Sequence, residues 1–227
     1  MSALPGLESL LLSLRMAGLA TLGLLAMGAP LAWWLAFTPR RWKVAVEAVV
    51  ALPLVLPPTV LGFYLLLLMA PSGWAGRLWM ALTDEPLAFS FSGLVVASIV
   101  YSLPFVVQPL QNAFEAMGRG PLEAAWSLGS PPWRTLFNTV LPWCRSGLLT
   151  AVVLAFAHTL GEFGVVLMVG GNIPGETRVV SIEIYDRVES LAYGEAHRLS
   201  MVLLIFSFSV LLVVYGQNRR WRLRAHG

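Results

Sequence analysis

Residues 121–142 read PLEAAWSLGSPPWRTLFNTVLP, and their local chemistry predicts two short helices joined by a sharp turn. Pro121 suits a first helical position, where a missing N–H leaves nothing unsatisfied. Glu123 sets a negative charge in the first turn, where the helix dipole favours it, and Gly129 is able to adopt the left-handed conformation that ends a helix. Ser130 is expected to cap the second helix, which Pro131 and Pro132 open, residues 133–140 carry and Pro142 stops.

On both sides of this stretch the chain turns apolar for far longer than a soluble helix requires. The runs at residues 91–110 and 147–169 flank it, and three more lie beyond them at 10–37, 44–70 and 199–215. Each is long enough to cross a bilayer, which takes about 20 apolar residues. Of the 227 residues 57% are hydrophobic and only 12% charged, with mean hydropathy +0.74, so lipid rather than water is the solvent the chain is built for. The reading is an all-α integral membrane protein with one domain, residues 1–227, in a five-helix bundle. The amino-terminal run lacks a cationic leader segment and is too long for a cleaved signal, so it is expected to stay as a helix. Cys144 is the one cysteine, which leaves no disulfide within a chain and no cysteine-rich metal site. The cationic residues are almost all arginines at the ends of apolar runs, a topology signal rather than a nucleic-acid footprint.

Five spans put the termini on opposite faces, and the cationic residues choose between the two orientations. With the carboxyl terminus inside, Arg40, Arg41, Lys43, Arg119, Arg134, Arg145, Arg219, Arg220, Arg222 and Arg224 face the cytoplasm. Arg15, Arg77, Arg178, Arg187 and Arg198 then lie outside, as do Glu8, Asp84, Glu85, Glu176, Glu183, Asp186, Glu189 and Glu195. The amino terminus is therefore expected in the periplasm and the loop containing residues 121–142 in the cytoplasm.

Two of the spans carry residues that apolar packing alone does not call for. Residues 52–62, LPLVLPPTVLG, contain Pro53, Pro57 and Pro58, each of which removes a backbone donor at bilayer depth, so the helix should break there. The freed carbonyls must be met by neighbouring protein or a water-lined path, and Thr59 is a candidate partner. Residues 157–164, AHTLGEFG, set Glu162 in an apolar run with His158 four residues earlier on the same helical face, a candidate partner for a costly carboxylate. Ala157 and Gly161 form a small-xxx-small pair suited to close approach of another helix, such as the same helix of a second copy of the chain. An ionised Glu162 is a poor ligand for an anion, because like charges repel strongly at low dielectric, and a better gate or packing anchor. Beyond this span Gly170 and Gly171 end the helix and Pro174-Gly175 make a turn. Ile182, Tyr185, Val188 and Leu191 then recur at helical spacing over residues 181–191, an amphipathic helix expected on the outer surface.

The loop at 121–142 resembles the coupling loop of ABC importer permeases, carried here by Glu123, Ala124, Ala125, Gly129, Thr139, Leu141 and Pro142, with Thr139 where relatives have an aliphatic residue. With LPLVLPPTVLG, HTLGEFG and NIPGETR it makes nearly the whole chain similar to the molybdate-type permease subunits, close to the sulfate and thiosulfate permeases. The resemblance implies a type I importer bundle in the bacterial inner membrane, two permease copies, two ATPase subunits and a periplasmic oxyanion-binding protein. It also implies that molybdate, or else sulfate, thiosulfate or tungstate, is moved by alternating access. Pro57, Pro58, Thr59, His158, Gly161, Glu162, Phe163 and Gly164 are the candidate path or gate. ATP and Mg would be used by the partner ATPase: the only lysine, Lys43, follows Trp42, so no phosphate-binding Gly-Lys loop exists. No catalytic residue and no metal ligand is expected in this chain. A proton-coupled carrier working through Glu162 is the alternative mechanism, distinguished by its indifference to ATP.

Overall fold

The computed structural model describes residues 6–225, without the side chains of residues 213–215 and 217–225. Met1 and the side chains of Arg219, Arg220, Arg222 and Arg224, which enter the orientation argument, lie outside the described residues. Helices α1 (Leu7–Phe37), α2 (Lys43–Val55), α3 (Pro58–Met69), α4 (Trp74–Thr83), α5 (Phe91–Ser102) and α6 (Pro104–Met117) make the first half. The second half holds α7 (Gly120–Ser127), α8 (Pro132–Thr135), a π-helical turn (Leu136–Val140), α9 (Leu141–Gly161), α10 (Gly164–Gly170), α11 (Val180–Glu189) and α12 (Tyr193–Ala225).

Three helical stretches are long and apolar enough to cross a membrane unaided: Leu7–Phe37, Pro132–Gly161 and Tyr193–Leu212. Two bent pairs raise the number to five if each counts as one span. One is α2 with α3, turned by 113° at Leu56 and Pro57, where the prolines predicted a break. The other is α5 with α6, bent by 43° at Leu103 because Pro104 cannot donate back into the preceding turn.

The main core lies where α1, α6 and α9 meet. Leu24, Leu35, Val107, Leu110, Phe114 and Ala151 are its buried centre, and Leu122 ties α7 to it. A second cluster joins α3, α5 and α10 through Leu65, Met69, Ala97, Val165 and Val169. A third, with Met16, Leu94, Val166 and Ile182, attaches the start of α11 to α1. By contrast α2 buries only Val50 and Pro53, and its polar fastening to α6 is Lys43 Nζ on Glu115 Oε1 at 3.0 Å beside Gln111 Nε2 on Glu47 Oε1 at 2.6 Å.

Several element boundaries differ from the sequence expectation. Ser130 does not cap the second loop helix; Pro131 holds the cap position, and the Ser130 hydroxyl accepts from Thr135 at 3.2 Å. Pro142 does not stop that helix either, for α8, the π-turn and α9 run on as Pro132–Gly161. A proline ring crowds the carbonyl four residues back and lacks the N–H that would bond it. The wider π-turn, closed by the Leu141 N–H on the Leu136 carbonyl, lets the helix pass that position unbroken. Conversely the run at 147–169 is not one helix, since it breaks at Glu162 and Phe163.

Candidate functional site

The two proline- and glycine-marked breaks lie against each other. Helix α3 starts at Pro58 and α10 at Gly164, and a Cβ added to Gly164 would lie 2.7 Å from Pro58 Cβ. One turn along α3 the arrangement repeats: a Cβ on Gly62 would lie 2.8 Å from Met168 Cβ and 3.2 Å from Val165 Cα. Two short half-helices therefore run side by side at a separation only glycine permits. Pro57, Pro58 and Thr59 are exposed on the surface of the single chain, and Thr59 makes no hydrogen bond among the described residues. Its expected role as partner of freed carbonyls is not what the structure has.

Glu162 sits at the second break with its backbone extended (φ −67°, ψ 134°). It is 5% exposed, and neither carboxyl oxygen has a hydrogen-bond partner among the described residues. Ser98 and Tyr101 of α5 border it, with the Ser98 hydroxyl facing the Met16 sulfur at 3.9 Å. A carboxyl group left this way in an apolar interior is costly and needs a reason to be there.

The expected pairing of His158 with Glu162 does not form. The four-residue stacking needs continuous helix, and α9 ends at Gly161 before Glu162 is reached. His158 instead shares a hydrogen bond with Ser102 Oγ, 2.9 Å from its Nδ1, and its ring stacks on Phe105 with centroids 4.0 Å apart. Ser102 in turn meets the Thr159 hydroxyl at 3.2 Å. Gly161 is exposed, with nothing within 4 Å of an added Cβ.

Sequence reasoning missed what holds the break. The Ser181 hydroxyl of α11 donates to the Glu162 carbonyl at 2.6 Å, and the Tyr185 ring lies tilted by 45° against Phe163 with centroids 5.0 Å apart. The Val180 N–H donates to Ser13 Oγ of α1 at 2.8 Å, so α11 is docked on the bundle at its start. It does not bury the apolar stripe read from its spacing: Ile182 is buried, whereas Tyr185, Val188 and Leu191 are exposed. A hydrogen bond to Glu189 at 2.6 Å raises the pKa of the Tyr185 hydroxyl above its ordinary 10.0. The available signal was Ser98 and Ser102, four residues apart in an apolar run, which mark a polar stripe facing the end of α9 and Glu162.

At one end of the bundle α7 and α8 form an elbow. Gly129 turns it with φ +73°, and the Ser130 N–H closes on the Ala125 carbonyl at 3.0 Å. Glu123 and Ala124 are exposed, Thr139 and Leu141 half-buried, Pro142 exposed. Around the turn Trp126, Leu128, Trp133 and Phe137 are also exposed, Leu128 at 88%. A cluster of large apolar side chains gathered at a tight turn marks an interaction surface. Among the described residues no group of three His, Cys, Asp or Glu side chains could hold a metal ion.

Comparison with known proteins places the chain among transport permeases. The chain is 57% identical over 213 residues, 94% of each chain, to the molybdenum transport system permease protein ModB of Azotobacter vinelandii. It is 37% identical over 97% of each chain to ModB of Escherichia coli strain K12. Against a probable sulfate transport permease of Zygnema circumcarinatum it is 36% identical over 83% of this chain and 65% of that one. Among solved structures, a bacterial ABC transporter involved in the import of the acidic polysaccharide alginate superimposes with TM-score 0.72 at 16% identity, covering 94% of this chain and 78% of that one. These relatives are transport permeases, not enzymes. Residues 28–221 match the family model, so the chain belongs to the binding-protein-dependent transport system inner membrane components and is a multi-pass membrane protein.

Proposed function

We propose that this chain is the permease subunit of an ATP-driven importer that carries molybdate into the cytoplasm. The observation that carries the reading is 57% identity along 94% of both chains to a molybdenum permease, well above the 36% to a sulfate permease. Five spans cross the membrane, with each bent helix pair counted as one, the amino terminus in the periplasm and the carboxyl terminus in the cytoplasm. The elbow of Glu123, Ala124, Ala125, Gly129, Thr139, Leu141 and Pro142 docks in a separate ATPase, and its exposed tryptophans supply the apolar contact. Leu122 and the unbroken Pro132–Gly161 helix then carry the elbow's movement into the core, because rigid helices transmit displacement with little loss. Two such chains line the path and two ATPases drive them, with a periplasmic binding protein delivering the anion; the alginate transporter was captured with its pentasaccharide-bound periplasmic protein.

In the path, Pro57, Pro58 and Thr59 face Gly161, Glu162, Phe163 and Gly164, with His158 one turn behind. The breaks are hinges and Glu162 is the gate. Its unpaired carboxyl has little to lose if the half-helices part, whereas a fully bonded group would resist. The experiment is uptake by proteoliposomes holding the chain with its ATPase and binding protein. Molybdate should enter only with internal ATP and faster than sulfate. Uptake by the chain alone that follows a proton gradient would favour the secondary carrier and defeat this reading.

A further inference from the structure

A cavity of about 270 Å³ opens where the first turn of α1, helix α11 and the first turns of α12 come together. Its apolar wall is Leu7 and Leu10 of α1 with Leu199 and Val202 of α12. Leu7 and Val202 are 42% and 49% exposed, so the wall continues as an open groove between two membrane-length helices. Its other wall is charged. Arg187 places one guanidinium nitrogen 3.2 Å from Glu183 Oε1 and the other 3.2 Å from Glu195 Oε2, so a single cation occupies both carboxylates. Arg187 Nε is buried and has no acceptor, and Arg198 makes no ion pair among the described residues.

The cavity thus lacks one anionic acceptor on its charged side and one apolar body on the other. A small free anion suits it poorly, because the aliphatic wall of Leu7, Leu10, Leu199 and Val202 gives it nothing. We propose that the cavity binds one glycerophospholipid, its phosphate on the Arg198 guanidinium and an acyl chain along the groove between α1 and α12. Both helices begin their apolar runs here, so the cationic rim lies at the level where headgroup phosphates sit. The bound lipid would cover the joint between α11 and α12, and through Ser181 would stiffen the support of the Glu162 break. This inference needs only the membrane setting and is independent of what is transported.

Native mass spectrometry of the detergent-purified importer complex tests it, with dioleoyl phosphatidylglycerol, dioleoylglycerol and glycerol 3-phosphate as probes. One phosphatidylglycerol per chain should be retained, while the tails alone and the headgroup alone are held at least tenfold more weakly. Arg198→Gln, at an exposed position, and Leu10→Trp, which fills the groove, should each lower retention by tenfold or more with an unchanged melting temperature. Equal retention by Arg198→Gln overturns the proposal. So does equal retention of dioleoylglycerol, which would leave a purely apolar groove, or tight binding of glycerol 3-phosphate alone, which would make it an anion site.

Discussion

Replacing Gly164 with alanine tests the meeting of the two half-helices by adding a single methyl group. That methyl would arrive 2.7 Å from Pro58 Cβ and 3.6 Å from its Cγ, and a proline ring at a helix start has no rotamer to move into. The α3 and α10 backbones must therefore separate by several tenths of an ångström, loosening the Gly62 contact with Met168 as well. Overpacking of this kind costs about 1–3 kcal/mol. For a chain of this size that corresponds to a melting temperature lower by roughly 2–12 °C. The assay is thermal unfolding in detergent followed by maleimide-dye labelling of Cys144, the only cysteine, which is buried until the bundle opens. Gly161→Ala is the control, since its added methyl meets nothing within 4 Å inside the chain. If Gly164→Ala melts with the native chain, or both variants fall equally, the half-helices are not in the contact described and the hinge argument fails.

The remaining expectations concern the elbow, the carboxyl and the Lys43–Glu115 ion pair. Gly129→Val should abolish co-purification of the ATPase while Gly129→Asn largely keeps it, because nothing crowds the position and φ +73° is the sole demand on it; pull-down yields decide, and equal loss in both would point to a steric role. Glu162→Gln should leave the melting temperature unchanged or higher, since both carboxyl oxygens are unbonded, yet lower molybdate uptake by tenfold or more; a large fall in stability would make Glu162 a packing element instead. In a double-mutant cycle, Lys43→Met with Glu115→Gln should show a coupling below about 1 kcal/mol that fades in 1 M salt, as Glu115 is 41% and Lys43 25% exposed and water reaches the pair. A salt-independent coupling of several kcal/mol would contradict that exposure.

How much of this was legible beforehand varies with the range of the physics involved. Pro57 and Pro58 announce their break because a missing N–H acts on the residues beside it, whatever surrounds the helix. Gly129 announces its turn for the same reason, and the 113° bend and φ +73° are where the residues asked for them. Pro142 gave the same local signal and was overruled, because a π-turn upstream absorbed it. Glu162 was legible as an anomaly, but its surroundings were not. Its assigned partner depended on an unbroken helix, and Ser181, which holds its carbonyl, is 19 residues away.

The sequence by itself determined the solvent, the apolar runs, the break at Pro57 and the elbow, all of which follow from composition and from backbone chemistry acting over a few residues; the second break, at Glu162, it did not give. Only the tertiary structure decided that Gly164 rests on Pro58, that His158 bonds Ser102 rather than Glu162, and that α11 supports the break. Such pairings are set by which surfaces come within a few ångströms once the helices pack, and no periodicity along the chain encodes that distance.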